Sequence, residues 1–377
     1  MALLETSQKS LRHLIPFTDM KERIKVISAI QQIGIGVPDA QAAWKWYIEQ
    51  FGIDIRVLAS EGVADRMLPY TGGKPQPRFA ILALNHRGGG GFEVWEPRGR
   101  ELNWPASTPL LGDTGIFICK VKCPDVQLAY DTYKSRGLDL LGEPCKSFAG
   151  LDHFYLKDPW GNIFEIEEDY FEFTKVKGAI TGGSNGVVLG VSDMEKSIEF
   201  YGKLLGYDRK VADAEGVFED IKGVPGAEQK LRRVMLERSQ PLQGPFSAVL
   251  GTSHLELVQS LDRKPVKLYQ DRFWGDPGYI HLCFDVRNME AIRKDCEAAG
   301  HPFVCDSGSD FGMGEANGHF TYIEDPDGTL IEFVETYKVP IHKKLGIYLN
   351  LAGKDDRKPL PRIITKAFRF LRVKPEK

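Results

Sequence analysis

The chain is 377 residues long, with 42% apolar and 27% charged residues and a formal net charge of −3, which excludes a disordered polymer and provides for one or more sizeable cores. So small a net charge excludes nucleic acid as the main partner, because phosphate binding needs a concentrated basic field. Six cysteines without a CxxC pair exclude a disulfide framework. The N-terminal MALLETSQKSLRHLIPF lacks the apolar run of a secretory signal, and no segment approaches the ~20 apolar residues of a membrane span, so the expected location is the cytoplasm.

In chain order, the first recognisable element is IGIGVPDAQAAWKWYIEQFGIDI at 33–55, which reads as strand, turn, amphipathic helix and glycine stop. The same pattern returns without a gap as VVLGVSDMEKSIEFYGKLLGYDR at 187–209, where Ser192 and Glu195 have the form of a capping box. Gly52 and Gly206 fall where helix C-terminal glycines belong. A second pair, GDTGIFICKVKCPDVQLAYDTYKSRG at 112–137 and GDPGYIHLCFDVRNMEAIRKDCEAAG at 275–300, repeats the strand, turn and helix. HFYLKDPWGNIFEIEE at 153–168 and HFTYIEDPDGTLIEFVE at 319–335 each give two extended runs around a DPxG turn. FEVWEP at 92–97 and HLELVQS at 254–260 supply closing strands for the other two units. The aromatic residues Trp44, Trp46, Tyr47, Phe200 and Tyr201 fall at helical spacing and read as core; Trp95, Trp104, Trp274 and Phe311 are candidates for pocket walls.

The chain is therefore four βαβββ modules grouped in two halves, an α+β pattern of strands with flanking helices. The expected division is an N-terminal arm at 1–27, one two-module domain at 28–170, a second at 181–337, and an extension at 339–377. That extension holds eleven Lys/Arg against three Asp/Glu and reads as a basic amphipathic helix at 362–374. It is expected to cap a barrel mouth or a subunit interface, which leaves a homodimer open, with peripheral membrane contact as the lesser reading.

Two halves each opened by VxD, with DPDGTLIEF near the end of the second and the unit GVSDMEKSIEFYGKLLGY at its start, resemble the vicinal oxygen chelate superfamily, the glyoxalase, bleomycin-resistance and extradiol-dioxygenase group. The resemblance spans about 28–337. It implies that the modules pair into two cupped, barrel-like mixed sheets in which up to four inward side chains hold a divalent metal, one from the first and one from the last strand of each module. Carried over by position, the second half offers Glu256, His281 and Glu332, with Gly186 at the fourth place. The first half offers Gln32, Glu93 and Glu165, with Ile118 at the fourth. Asn185, one residue out of register, would point to the other sheet face.

One imidazole and two carboxylates suit Fe, Zn, Mn, Ni or Co and leave positions open for water and substrate, so Glu256, His281 and Glu332 are the expected metal site and Gln32, Glu93 and Glu165 the secondary one. Glu256 or Glu332 would act as base, and His254, two residues from Glu256 on the same strand face, as a further ligand or proton shuttle. Without a metal, Glu256 and Glu332 would need a proton, water or a basic partner, and no arginine stands out in these strands. The resulting expectation is a metal-dependent lyase or isomerase similar to glyoxalase I, acting on a small oxygen-bearing molecule. A non-haem iron dioxygenase and a metal-free ligand-binding protein are the alternatives.

Overall fold

A computed structural model describes residues 23–374 apart from 310, 314, 315, 343, 344 and 352. Most of the predicted N-terminal arm, residues 1–22, lies outside the described residues. Each module folds as its sequence pattern requires. Helices Ala40–Phe51, Val126–Ser135, Met194–Leu205 and Met289–Ala298 follow the four opening strands, each capped by a side-chain oxygen of Asp39, Asp125, Asp193 or Asn288. The third cap is Asp193 rather than Ser192: its carboxylate accepts from the Lys196 amide at 3.2 Å. Gly52 (φ 66°) and Gly206 (φ 77°) end their helices in the left-handed conformation that glycine adopts without strain.

The strands form two large mixed sheets. Their membership departs from the two-domain division at 28–170 and 181–337. Module one pairs with module four: strand Val26–Gly36 runs antiparallel to Gly278–Arg287, placing Gly34 opposite His281. Module two pairs with module three through Gly115–Cys123 and Ser184–Gly190, which are likewise antiparallel. The outer modules thus enclose one cup and the inner modules the other. The repeat offsets mark where each unit begins, but the partner of an opening strand is set by which sheet edge it meets, and that leaves no trace in the spacing.

The apolar faces of the helices and the outer faces of both sheets merge into one continuous core. Ile33, Ile35 and Tyr47 of module one meet Cys119, Val121 and Tyr133 of module two, Leu189 and Tyr201 of module three, and Leu282 and Phe284 of module four. Trp44 and Phe200 belong to the same core and Trp46 packs against it. Two buried hydrogen bonds repeat across the modules: Tyr47 Oη donates to Asp158 at 2.7 Å and Tyr201 Oη to Asp325 at 2.8 Å, both acceptors being the first residue of a DPxG turn. Burying a ring such as Tyr201 contributes about 2 kcal/mol, and the hydroxyl then needs the acceptor it finds.

The C-terminal extension returns to the first cup. Strand Ile347–Asn350 pairs with Leu330–His342, and a short helix, Arg362–Lys366, runs into a 3-10 turn, Ala367–Leu371. Phe368 and Leu371 are buried against Phe246, Leu250, Leu349 and Leu351, while Lys366, Arg369 and Arg372 face outward. The expected amphipathic helix is therefore shorter than 362–374, and its apolar side covers a cup.

Candidate metal centre

In the first cup four polar side chains converge from four strands. Gln32 and Glu93 come from the opening and closing strands of module one, and His281 and Glu332 from those of module four. The ladder fixes this meeting: Gly34 pairs with both His281 and Glu93, and Cys283 pairs with both Gln32 and Glu332. Gly34 is needed for space, because a Cβ there would stand 2.4 Å from His281 Cε1. The imidazole is otherwise framed by Trp274, stacked at 6.4 Å, and by the edge of Tyr322 at 5.5 Å.

The cluster is buried, with His281 fully inaccessible. One ligand atom from each of Glu93, His281 and Glu332 lies within 4.8 Å of the others. His281 Nε2 is 3.3 Å from Glu93 and 3.2 Å from Glu332, but neither contact has hydrogen-bond geometry, and both ring nitrogens lack a partner. Gln32 Nε2 donates to Glu332 Oε2 at 3.2 Å, whereas Gln32 Oε1 has no donor. An imidazole and an amide oxygen without protein partners beside two buried carboxylates are costly. A divalent cation would satisfy all four groups, so the donor set fits one.

Burial pushes the Glu332 carboxyl up to about 7, against the pull of His281. Burial also acts to raise Glu93, but His281 and Arg78 outweigh it and hold that carboxyl below its ordinary range. His281 is raised despite its burial, by Glu332 and Glu93.

The other predicted residues lie elsewhere. Glu256, expected beside His281 and Glu332, belongs to the second cup, as does Glu165, expected with Gln32 and Glu93. Both predicted triads are therefore split, because modules pair outer with outer and inner with inner. In the second cup Lys120 Nζ lies 2.6 Å from Glu165, 2.9 Å from Glu167 and 3.0 Å from Glu256, all buried. Arg233 donates to Glu256 at 2.8 Å and to Asp220, with its guanidinium against the rings of Phe148 and Phe218. The base that the sequence reading did not find is present twice. Lys120 is a cation within the strand IFICKVK, which is apolar apart from Lys120 and Lys122, and that was the available signal.

His254 does not approach the first cup: it bridges Glu167 and Glu237, both at 2.9 Å. His153 pairs with Glu165 at 2.7 Å. Asn185 does reach the second cup, donating to Glu167 at 2.7 Å. A register irregularity between Ser184 and Gly186, with Gly186 at φ 144°, lifts the restriction that a regular ladder would impose.

Two cavities meet at Glu93 and Glu332. The smaller is walled by Trp95, Trp274, Arg66 and Arg78. The larger, about 1000 Å³ counting its open mouth, also contains Gln32 and His319 and is roofed by Phe368 and Leu371. Trp104 lines a separate depression, and the side chain of Phe311 lies outside the described residues.

Cupped sheets of paired βαβββ modules around a buried His/Glu/Gln cluster define a class of fold. The family model for the Glyoxalase/Bleomycin resistance protein/Dioxygenase superfamily matches residues 29–166 and 183–333, and the chain belongs to that superfamily. Glyoxalase I from Zea mays is similar in structure, with 18% identity over 82% of this chain and 92% of that one and a TM-score of 0.51. A putative dioxygenase from Bacillus subtilis covers 83% of this chain and 86% of its own at 13% identity, with a TM-score of 0.54. At these identities the likeness is one of fold. No curated protein sequence matches the chain. No helix among the described residues is long and apolar enough to cross a membrane.

Proposed function

We propose that the chain is a divalent-metal-dependent enzyme of lyase or isomerase type, acting on a small oxygen-bearing organic substrate at Gln32, Glu93, His281 and Glu332. The observation that supports this is the convergence of those four side chains in one buried cluster, with His281 Nε2 and Gln32 Oε1 unsatisfied. A bound divalent ion would supply Lewis-acid polarisation of a substrate oxygen. His281 anchors, held by Gly34 behind it and Trp274 alongside. Glu93, held below its ordinary range by His281 and Arg78, contributes a carboxylate. Glu332, where the two cavities meet, is placed to take a proton from the carbon beside the substrate carbonyl and return it to a neighbouring atom. Gln32 steadies Glu332 through its amide donor.

The dioxygenase reading is weaker, because the cluster offers one imidazole where the two-histidine, one-carboxylate iron triad needs two. Metal-free ligand binding is the remaining alternative. The test is deuterium uptake by an α-hydroxy ketone in D2O on protein loaded with Mn, Zn, Ni or Co, followed by NMR. Exchange slowed at least ~100-fold by Glu332→Gln supports the proposal; iron-dependent oxygen consumption with a catechol or 2-oxo acid, and no exchange, would replace it.

A further inference from the structure

The larger cavity beside the cluster is apolar in a way the repeat does not require. Module one contributes Leu58, Leu82 and Leu84. The rest of its apolar wall comes largely from additions to the modules: Phe246, Val249 and Leu250 from the segment before strand His254–Ser260, and Phe368 and Leu371 from the extension. Among the described residues no lysine or arginine lines it. Its histidine, His319, is held by Asp306 at 2.6 Å. The smaller cavity does hold guanidinium groups: Arg66 stands 3.8 Å from Asp65, and Arg78 donates to Ser60 while stacking over Trp95.

We infer that the substrate of this site is an uncharged carbonyl or hydroxyl compound with its oxygen function at one end of an apolar body, and no ionic group on that body. The inference rests on the catalytic reading for the role of the oxygen end, but the apolar wall supports the rest by itself. A carboxylate or ammonium placed against Leu82, Val249 and Phe368 would lose its hydration and meet no counter-charge. A methylene placed there is removed from water, which tightens binding about fourfold for each one added.

Isothermal titration of the full chain with 2-butanone, 2-hexanone, 2-octanone and 7-oxooctanoate tests this. The last probe is 2-octanone with its terminal methyl exchanged for a carboxylate. Affinity should climb by about fourfold per methylene through 2-octanone, with 7-oxooctanoate at least about tenfold weaker than 2-octanone. Val249→Trp should end the climb at a shorter ketone. A flat ketone series, or 7-oxooctanoate binding as well as 2-octanone, would overturn the inference. Metal content measured on the same samples keeps the two readings apart. A rising series on protein that takes up no divalent ion sustains the apolar substrate and removes the metalloenzyme, whereas an ion bound at the cluster with a flat series does the reverse.

Discussion

Lys120 shows how one side chain separates the two cups. Glu165 and Glu256 occupy the module positions of Glu332 and Glu93, yet an ammonium group lies 2.6–3.0 Å from both of them and from Glu167, so the second cup carries its cation covalently. Lys120→Met should cost about 3–5 kcal/mol, because it takes the shared ammonium from three buried carboxylates; urea unfolding at pH 7 measures this, and a loss below 1 kcal/mol would mean that Arg233, His153 and His254 suffice. The same cup predicts a pH dependence. Burial opposes the charge on His254, but hydrogen bonds to Glu167 and Glu237 outweigh it and raise the group from 6.5 to about 9; His153 is likewise raised to about 9, against its burial, by Cys145 and Glu165. Because these folded values lie above the free value, their contribution is complete below about pH 6.5 and is lost as pH climbs through about 9. Thermal unfolding midpoints should therefore fall across that interval. The double variant His153→Gln/His254→Gln should remove the fall, and an unchanged slope would contradict the assignment.

At the scale of elements, the C-terminal extension gains its place from period-three burial: Thr365, Phe368 and Leu371 turn inward while Lys366 and Arg369 face solvent. Phe368→Ala should destabilise the chain by about 3 kcal/mol and leave metal affinity within about twofold, since Phe368 roofs the cavity without belonging to the ligand cluster. A simultaneous loss of metal would place the extension in the centre itself. The module boundaries, the helices with their glycine stops and the DPxG turns were legible in the sequence, because each is enforced by local chemistry. Gln32, Glu93, His281 and Glu332 were legible as individual positions. Their grouping was not, because it depends on Val26–Gly36 pairing with Gly278–Arg287, a contact between strands some 250 residues apart. Asn185 was hidden for a smaller reason, a register irregularity that strict alternation does not foresee.

For the molecule as a whole, the two cups share one core but differ in the charge they hold: an imidazole and two carboxylates in one, carboxylates ion-paired with Lys120 and Arg233 in the other. Glycine, about one residue in ten, serves this plan at Gly34, where the absent Cβ makes room for His281. The net charge of −3 averages an acidic body and a basic extension whose apolar side closes the first cup. The account rests on the outer modules forming a single metal centre, and the most direct test is the stoichiometry of Mn or Zn binding, measured by calorimetry and elemental analysis, for the unaltered chain, Glu93→Ala and Glu256→Gln. One ion per chain, lost in Glu93→Ala and retained in Glu256→Gln, is the predicted result; an ion that survives Glu93→Ala but disappears with Glu256→Gln, or no ion at micromolar concentration in the unaltered chain, would contradict it.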